Sequence, residues 1–286
     1  MENKIDSSIL RNIKLIVFDL DGTLLNNNNE IGHETIDLVK KLRKMSVRFS
    51  FASGRLHSAI IDHAKTLEIQ TPLISLDGCL IKSYPEEKIL FESFVPKRYV
   101  TRAIELADKL LLKIALCQPE AILYTEENSI IQSLLEKYGA KYQEVDDYNS
   151  YLKSTLEVVV SSDFKDGIKN FMTKMNFPYT FGLTYSYYKS YSRGDIYYYE
   201  IRKNGSNKGT GIQKLAKYLG IKHNNIAAIG DWHNDREMFD VVGVKVAVAN
   251  AINEIKYHAD FICDRTNNED GTAEFLKLVY DEKNKK

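Results

Sequence analysis

Cysteine is scarce and unpaired: Cys79, Cys117 and Cys263 are odd in number and far apart. That excludes a disulfide framework and a paired-cysteine zinc site, and predicts buried thiols in a reducing compartment. No apolar run approaches the ~20 residues that cross a bilayer. The first ten residues hold no apolar stretch of the kind a secretory signal needs, so the expectation is a cytoplasmic protein. Net charge is missing too, with 39 Lys and Arg against 39 Asp and Glu. Such a chain lacks the overall field of a nucleic-acid or anionic-membrane binder, so neither is expected as a partner. What is present is ordinary for a globular protein: 44% hydrophobic and 27% charged residues over 286 positions. At ~150 residues per domain this length gives about two domains.

Hydrophobic patterning divides the chain. Residues 15–18, Leu-Ile-Val-Phe, form a short continuous apolar run, the mark of a strand buried on both faces. Ile36, Val39, Leu42 and Met45 recur every three residues, as on one face of a helix. Further strands are predicted at 47–52 and 73–76, with a helical pattern at 57–67 between them. Repeated strand–helix–strand units imply a parallel sheet. The character changes near 84–88. Beyond it come helices at about 98–113, 129–138 and 167–174, strands at 122–125 and 156–161, and a tyrosine-rich stretch at 179–201 that suits a half-exposed sheet. From Lys208 the first pattern returns: a helix at 208–219 closed by Gly220, strands at 226–229, 244–249 and 261–263, a short helix at 235–240 and a closing helix at 272–280. The charged tail, 281–286, is expected to fray. The fold class predicted is α/β: a doubly wound parallel-sheet core over 1–83 and 202–286, with an inserted α+β domain at 84–201. Linkers for that insertion are placed near 82–86 and 198–204.

In open α/β sheets, ligands bind beyond the carboxyl ends of the strands. The predicted strands end in Asp19-Leu20-Asp21-Gly22-Thr23, Ser53-Gly54-Arg55, Asp77-Gly78 and Gly230-Asp231-Trp232-His233-Asn234-Asp235. Side by side, these ends concentrate carboxylates, a hydroxyl and glycines in one crevice. Carboxylates so crowded repel one another and need a counter-charge. A hard divalent cation supplies it, and an all-oxygen donor set favours magnesium over zinc.

These segments also resemble the four motifs of the haloacid dehalogenase superfamily: Asp-x-Asp-Gly-Thr, Ser-Gly-Arg, a helix-opening lysine (Lys208) and Gly-Asp-x-x-Asn-Asp. The insertion between the second and third motifs is similar to that of the Cof-type branch, subfamily IIB. Val248-Ala249-Asn250-Ala251 and Asn267-Asn268-Glu269-Asp270-Gly271 are similar to late signatures of that branch. The resemblance covers nearly the whole chain, and four motifs in order are far more specific than one. It implies a Mg2+-dependent phosphatase acting on a small phosphorylated metabolite, a sugar phosphate or a nucleotide or cofactor phosphate. It also implies the roles. Asp19 would be the nucleophile, forming an aspartyl-phosphate. Asp21 would be the general acid and base, its proton affinity set apart from that of Asp19. Lys208 would neutralise charge shared with the phosphoryl group. Leu20, Ser53, Gly54, Arg55, Lys208 and Asn234 would bind phosphate. Asp19, Asp21 (through its main-chain oxygen) and Asp231 would hold the metal, with Asp235 steadying Lys208 or a ligand.

Each feature has a plainer reading. Asp-x-Asp-Gly alone is a surface turn, Ser53 a helix cap, Arg55 a partner for an acidic neighbour, and an isolated lysine a solvated one. At a helix start, however, a cation is unfavourable to the dipole, so structure alone gives Lys208 no reason to be there. Thr23 is expected to tie down the Gly22 turn through its hydroxyl. One position departs from the family pattern, and Trp232 and His233 fill the two variable positions of the fourth motif. Asp77 replaces the usual asparagine and would repel an anionic substrate unless it meets a hydroxyl or a base. Trp232 either shapes a pocket mouth or packs inside. His233 is read as a surface or supporting group. The competing functions are a phosphotransferase or mutase of the same superfamily, in which a second sugar accepts the phosphoryl group, and a non-catalytic phosphate-binding protein. A single-domain aspartate-phosphorylated receiver is too short to fit, and an ion-pumping ATPase needs membrane spans.

Overall fold

The computed structural model describes residues 5–125, 140–176, 181–190 and 196–285. The chain separates into two compact units. One comprises Met1–Gly54, Ile61–Leu90 and Asn207–Lys286; the other comprises Arg55–Ile60 and Phe91–Ser206. The division at 54/55 and 60/61 has no counterpart in the sequence reading, and the other two fall at 90/91 and 206/207, where the sequence places them at 83/84 and 201/202. The expected second linker, 198–204, lies largely inside the strand Ile196–Lys203. That strand continues the tyrosine pattern, and the chain turns only after it.

The first unit holds a five-stranded, wholly parallel sheet. Its order is Phe261–Ile262, Val244–Ala247, Ile226–Gly230, Leu15–Phe18, Arg48–Phe51. Leu15–Phe18 and Ile226–Gly230 are buried at every position, as continuous apolar strands between helix layers must be. The helices form two sets. Ser7–Arg11 and His33–Lys44 pack on Thr272–Asn284, and Lys208–Leu219 packs on Arg236–Phe239. From Leu15–Phe18 the chain proceeds to one side of the sheet, and from Ile226–Gly230 to the other. The topological switch point therefore lies between these two neighbours, the place where such sheets open a crevice.

Several expectations need correction. Residues 73–75 form a strand, but in a separate three-stranded sheet with Leu80–Lys82 and Ile89–Glu92. An isolated parallel bridge, Ala52 to Ile74, runs between it and the main sheet. The expected fraying tail is helical to Asn284. It is held because Lys283 Nζ donates to the Arg11 carbonyl at 2.6 Å and Glu282 faces Arg11 at 3.9 Å. The cysteines are buried thiols, not joined in a disulfide.

The second unit is a six-stranded sheet in the order Leu183–Ser190, Ile196–Lys203, Glu157–Ser162, Lys113–Cys117, Ile122–Tyr124, Tyr142–Glu144. All its pairings are antiparallel except the last. Helices Lys97–Lys109 and Lys165–Met175 pack on one face through Val100, Ala103, Ile168 and Phe171, against Val158, Val160, Tyr199 and Ile201. The helix expected to reach 113 stops at Lys109, because Leu111 turns left-handed (φ 53°) and the chain re-enters as a strand. The helix expected at 129–138 lies outside the described residues. No helix among the described residues is long and apolar enough to cross a membrane.

Candidate active site

Parallel register brings the acidic strand ends together. Phe18 is level with Ile229 and Phe51, so Asp19 leaves the sheet beside Gly230-Asp231 and Ala52-Ser53. The Asp19 amide still donates to Ile229 O at 2.9 Å, which holds this carboxylate at the mouth of the switch-point crevice. Beyond it, the amides of Thr23, Leu24 and Leu25 all donate to the Leu20 carbonyl, closing a tight turn. Gly22 sits in that turn at φ +79°, where a Cβ would lie 2.6 Å from Asp231 Oδ2. Only glycine suits both the backbone and the close approach. Thr23 does not tie the turn to itself. Its hydroxyl donates across to Asp231 Oδ1 at 2.8 Å, joining the first motif to the fourth. Asp21 is exposed at the tip of the turn.

Lys208 is the hub. It is 1% exposed, and its Nζ lies 2.6 Å from both Asp19 Oδ1 and Asp235 Oδ1. Its helix begins there because Asn207 and Thr210 form a reciprocal cap: Thr210 N–H donates to Asn207 Oδ1 at 2.7 Å, and Asn207 N–H to Thr210 Oγ1 at 3.1 Å. The cost of a cation at the positive end of the helix is outweighed by the carboxylates facing it. Burial alone would lower the ammonium's proton affinity, yet Asp19, Asp235 and Asp77 hold it well above the ordinary lysine range. Asp235 is fully buried and its second oxygen accepts the amides of Asp231 and Trp232, at 2.8 and 3.0 Å. It therefore braces both the lysine and the fourth-motif loop.

The electrostatics are frustrated. Asp19, Asp231 and Asp235 bring oxygens within 4.8 Å of one another around a single ammonium. Burial, then Asp235, pushes the Asp19 carboxyl well above the usual carboxylate range, and the same causes push Asp231 up to about 7. Groups so disturbed are ones that a bound cation would restore to the ionised form. Asp235 has both oxygens committed to N–H donors, leaving Asp19 and Asp231 as the better ligands of the three.

The remaining sites separate. Ser53 is buried, with its amide on Ile74 O and its carbonyl accepting Asp77 N–H, each at 3.0 Å. It caps no helix, since the turn that follows starts at His57 with Leu56 before it. Gly54 closes the first unit and Arg55 opens the 55–60 segment of the second. Asn234 lies in the first unit and donates to Asp77 Oδ1 at 3.3 Å. Trp232 is 55% exposed, which removes the packing alternative, and His233 pairs with Glu254 at the surface, at 2.8 Å. Two supports were not assigned from the sequence, although their stretches stood out. Asn250 Nδ2 donates to Gly22 O, and Asn267 Nδ2 to Leu25 O, at 2.7 and 2.8 Å, pinning the catalytic-type turn from behind. A separate cavity of 430 Å³ in the second unit, lined in part by Glu105, Asp108, Asp146 and Asp147, includes none of these groups.

A family profile for haloacid dehalogenase-like hydrolases matches residues 16–276. Phosphatase YwpJ of Bacillus subtilis is 27% identical over 93% of this chain and 99% of its own. The 5-amino-6-(5-phospho-D-ribitylamino)uracil phosphatase YitU of the same organism is 24% identical over 93% and 97%. Among solved structures, a haloacid dehalogenase-like hydrolase from Bacteroides thetaiotaomicron superposes with a TM-score of 0.83 at 25% identity, over 93% of this chain and 99% of that one. TM0651 from Thermotoga maritima gives 0.80 at 25% identity, over 93% and 97%. With its four motifs in order and the parallel sheet that carries them, the chain belongs to the haloacid dehalogenase-like hydrolases.

Proposed function

We propose that the protein is a magnesium-dependent phosphatase that hydrolyses a small phosphorylated metabolite through a phosphoryl group carried on Asp19. The observation that carries this reading is the Asp19 carboxylate, fixed at the switch point against Lys208 and beside Asp231. In the first step an Asp19 oxygen attacks phosphorus, the bond to the leaving oxygen breaks, and Asp21 gives that oxygen its proton. In the second step water attacks phosphorus, the Asp19–phosphorus bond breaks, and Asp21 takes the proton from the water. Asp21 is exposed, so it meets water directly. Lys208 balances charge on Asp19 throughout, and Asp235 holds Lys208 in line. Leu20 and Gly54 supply amides, Ser53 a hydroxyl and Asn234 an N–H to the phosphate oxygens. Arg55 is assigned to the substrate as well. Asp19, Asp231 and the main-chain oxygen of Asp21 would hold Mg2+, which when bound offsets the negative charge of carboxylates and phosphate.

The substrate class is a sugar phosphate or a nucleotide or cofactor phosphate. The relative YitU, whose named substrate carries a phosphorylated ribityl chain on a uracil, falls within that class. The test is release of phosphate from a panel of such esters by the purified protein. Activity is expected with Mg2+, to vanish with EDTA, and to vanish in Asp19→Asn while the protein stays folded. Wild-type turnover by Asp19→Asn, or hydrolysis indifferent to EDTA, would overturn the assignment.

A further inference from the structure

Leu76, Asp77 and Gly78 are three consecutive residues in the left-handed region, with φ of 47°, 45° and 86°. Residues bearing a Cβ adopt it at a cost, and two in a row persist only where their surroundings dictate it. Here they do. Asp77 N–H donates to Ser53 O, and Cys79 N–H to Leu76 O, both at 3.0 Å. A Cβ on Gly78 would fall 2.2 Å from the Asn207 carbonyl, so the turn lies directly on the residue that caps the Lys208 helix. The second and third motifs thus clamp one strained turn between them. Its product is the aim of a single side chain. Asp77 is buried, its oxygens 3.5 and 3.6 Å from where a Cβ on Gly54 would stand, and Oδ1 accepts from Asn234 Nδ2 at 3.3 Å.

We propose that Asp77 is a positioning residue for phosphate binding, which locks the side-chain amide of Asn234 with its nitrogen, not its oxygen, as the group available to the anion. This rests on the reading of Asn234 as a phosphate contact. An asparagine amide is nearly symmetric in shape, so without a directing partner it presents donor or acceptor with little preference. An ionised carboxylate only accepts. It therefore selects the orientation in which one N–H meets Asp77, and the second N–H of the same nitrogen remains to donate. The flipped amide would offer a carbonyl oxygen to phosphate, which repels it. Among the described residues Asn234 has no other side-chain hydrogen bond, so Asp77 alone sets this choice.

The test is a double-mutant cycle on the full chain, read as inorganic phosphate binding by titration calorimetry with Mg2+ present and, separately, as KM and kcat for 4-nitrophenyl phosphate. Asp77→Gly removes the acceptor while keeping a backbone at ease in the left-handed region. It is expected to weaken phosphate binding and raise KM by about three- to tenfold, with kcat little changed. Asn234→Ala should weaken binding at least as much, and Asp77→Gly should add nothing in that background. Asp77→Asn, which tolerates the turn but can donate as well as accept, should recover only part of the loss, and full recovery would show that an acceptor-only partner is not what fixes the Asn234 amide. Losses that multiply in the double variant, or phosphate binding unmoved by Asp77→Gly, would overturn the proposal. Binding without turnover counts against the phosphatase reading only, and a wild-type protein that binds no phosphate overturns both.

Discussion

The strand Leu15–Phe18 of the first unit is buried at every position, whereas Ile196–Lys203 of the second mixes buried residues with half-exposed Tyr197 and Glu200 and exposed Lys203. Both strands carry functional-looking side chains, but in different places. A parallel strand covered on both faces has no free side along its length, so its polar groups appear only where it ends, as Asp19 and Asp231 do. An antiparallel strand with helices on one face has a second face to fill. In the second unit that face sets Arg202 opposite Glu157 and Tyr198 opposite Ser161. Buried charge follows the same division. At the strand ends, three carboxylates crowd one ammonium and repel one another. Along the second sheet, Arg202 meets Glu157 at 2.9 Å and Glu200 at 3.5 Å, while the Tyr188 hydroxyl donates to Glu200 at 2.6 Å, so the charges are met by protein groups. The first arrangement leaves its charge unbalanced, and the second balances it within the sheet.

Substitutions can break that contrast. The largest effect is expected for Asp231→Asn, which should lower kcat on the order of a thousandfold or more by weakening the metal site. The same change removes a charge that repels its neighbours. In metal-free buffer near neutral pH the variant should therefore melt higher than wild type, and equal or lower stability would show that the cluster is not frustrated. In the second unit, Arg202→Met should cost about 3 kcal/mol in denaturant unfolding, by leaving buried Glu157 unpaired, and should leave Mg2+ binding unchanged. Adding Glu157→Met should restore part of the loss, since Glu200 also faces Arg202 at 3.5 Å; no recovery would contradict Glu157 as the carboxylate that needs the guanidinium.

The pH dependence sharpens the comparison further. Asp231 is pushed up to about 7, above its ordinary 3.8, so between these values the folded protein holds a proton that the unfolded chain releases. Stability with EDTA should thus be greatest at the acid end of this window, fall as pH rises through it, and level off above about 7. Wild type minus Asp231→Asn isolates this contribution, and Mg2+ should flatten it. A difference that grows more favourable to wild type with rising pH in EDTA would reverse the account. The smallest effect belongs to exposed Tyr187, whose ring stacks on that of half-buried Tyr197 of the neighbouring strand with centroids 6.2 Å apart. Tyr187→Ala should cost about 0.5 kcal/mol and leave turnover of 4-nitrophenyl phosphate in place.

The same division explains what was legible beforehand. Doubly buried strands are unbroken apolar runs, so 15–18 and 226–229 stand out, and the carboxylates after them can be assigned to one crevice. The helix from Lys208 to Gly220 announces both its start and its stop. Partners were less visible. Thr23 spans 208 positions to reach Asp231, and Asn250 spans 228 to reach Gly22, distances over which no local pattern carries information. The strand Lys113–Cys117 was hidden because Leu110, Leu111 and Leu112 prolong an apolar helix pattern, while the break is an exposed leucine with positive φ, not a glycine. The tail looked solvated, since its hold on Arg11 O depends on a helix brought there by the fold.

The most direct measurement of the central claim is acid-quenched mass spectrometry of the protein during turnover of a phosphorylated metabolite with Mg2+. A phosphoryl group on the peptide containing residues 15–23, assigned to Asp19 and lost in Asp19→Asn, is the result expected. Steady release of phosphate with that peptide never modified, or with the group on another residue, would contradict the account.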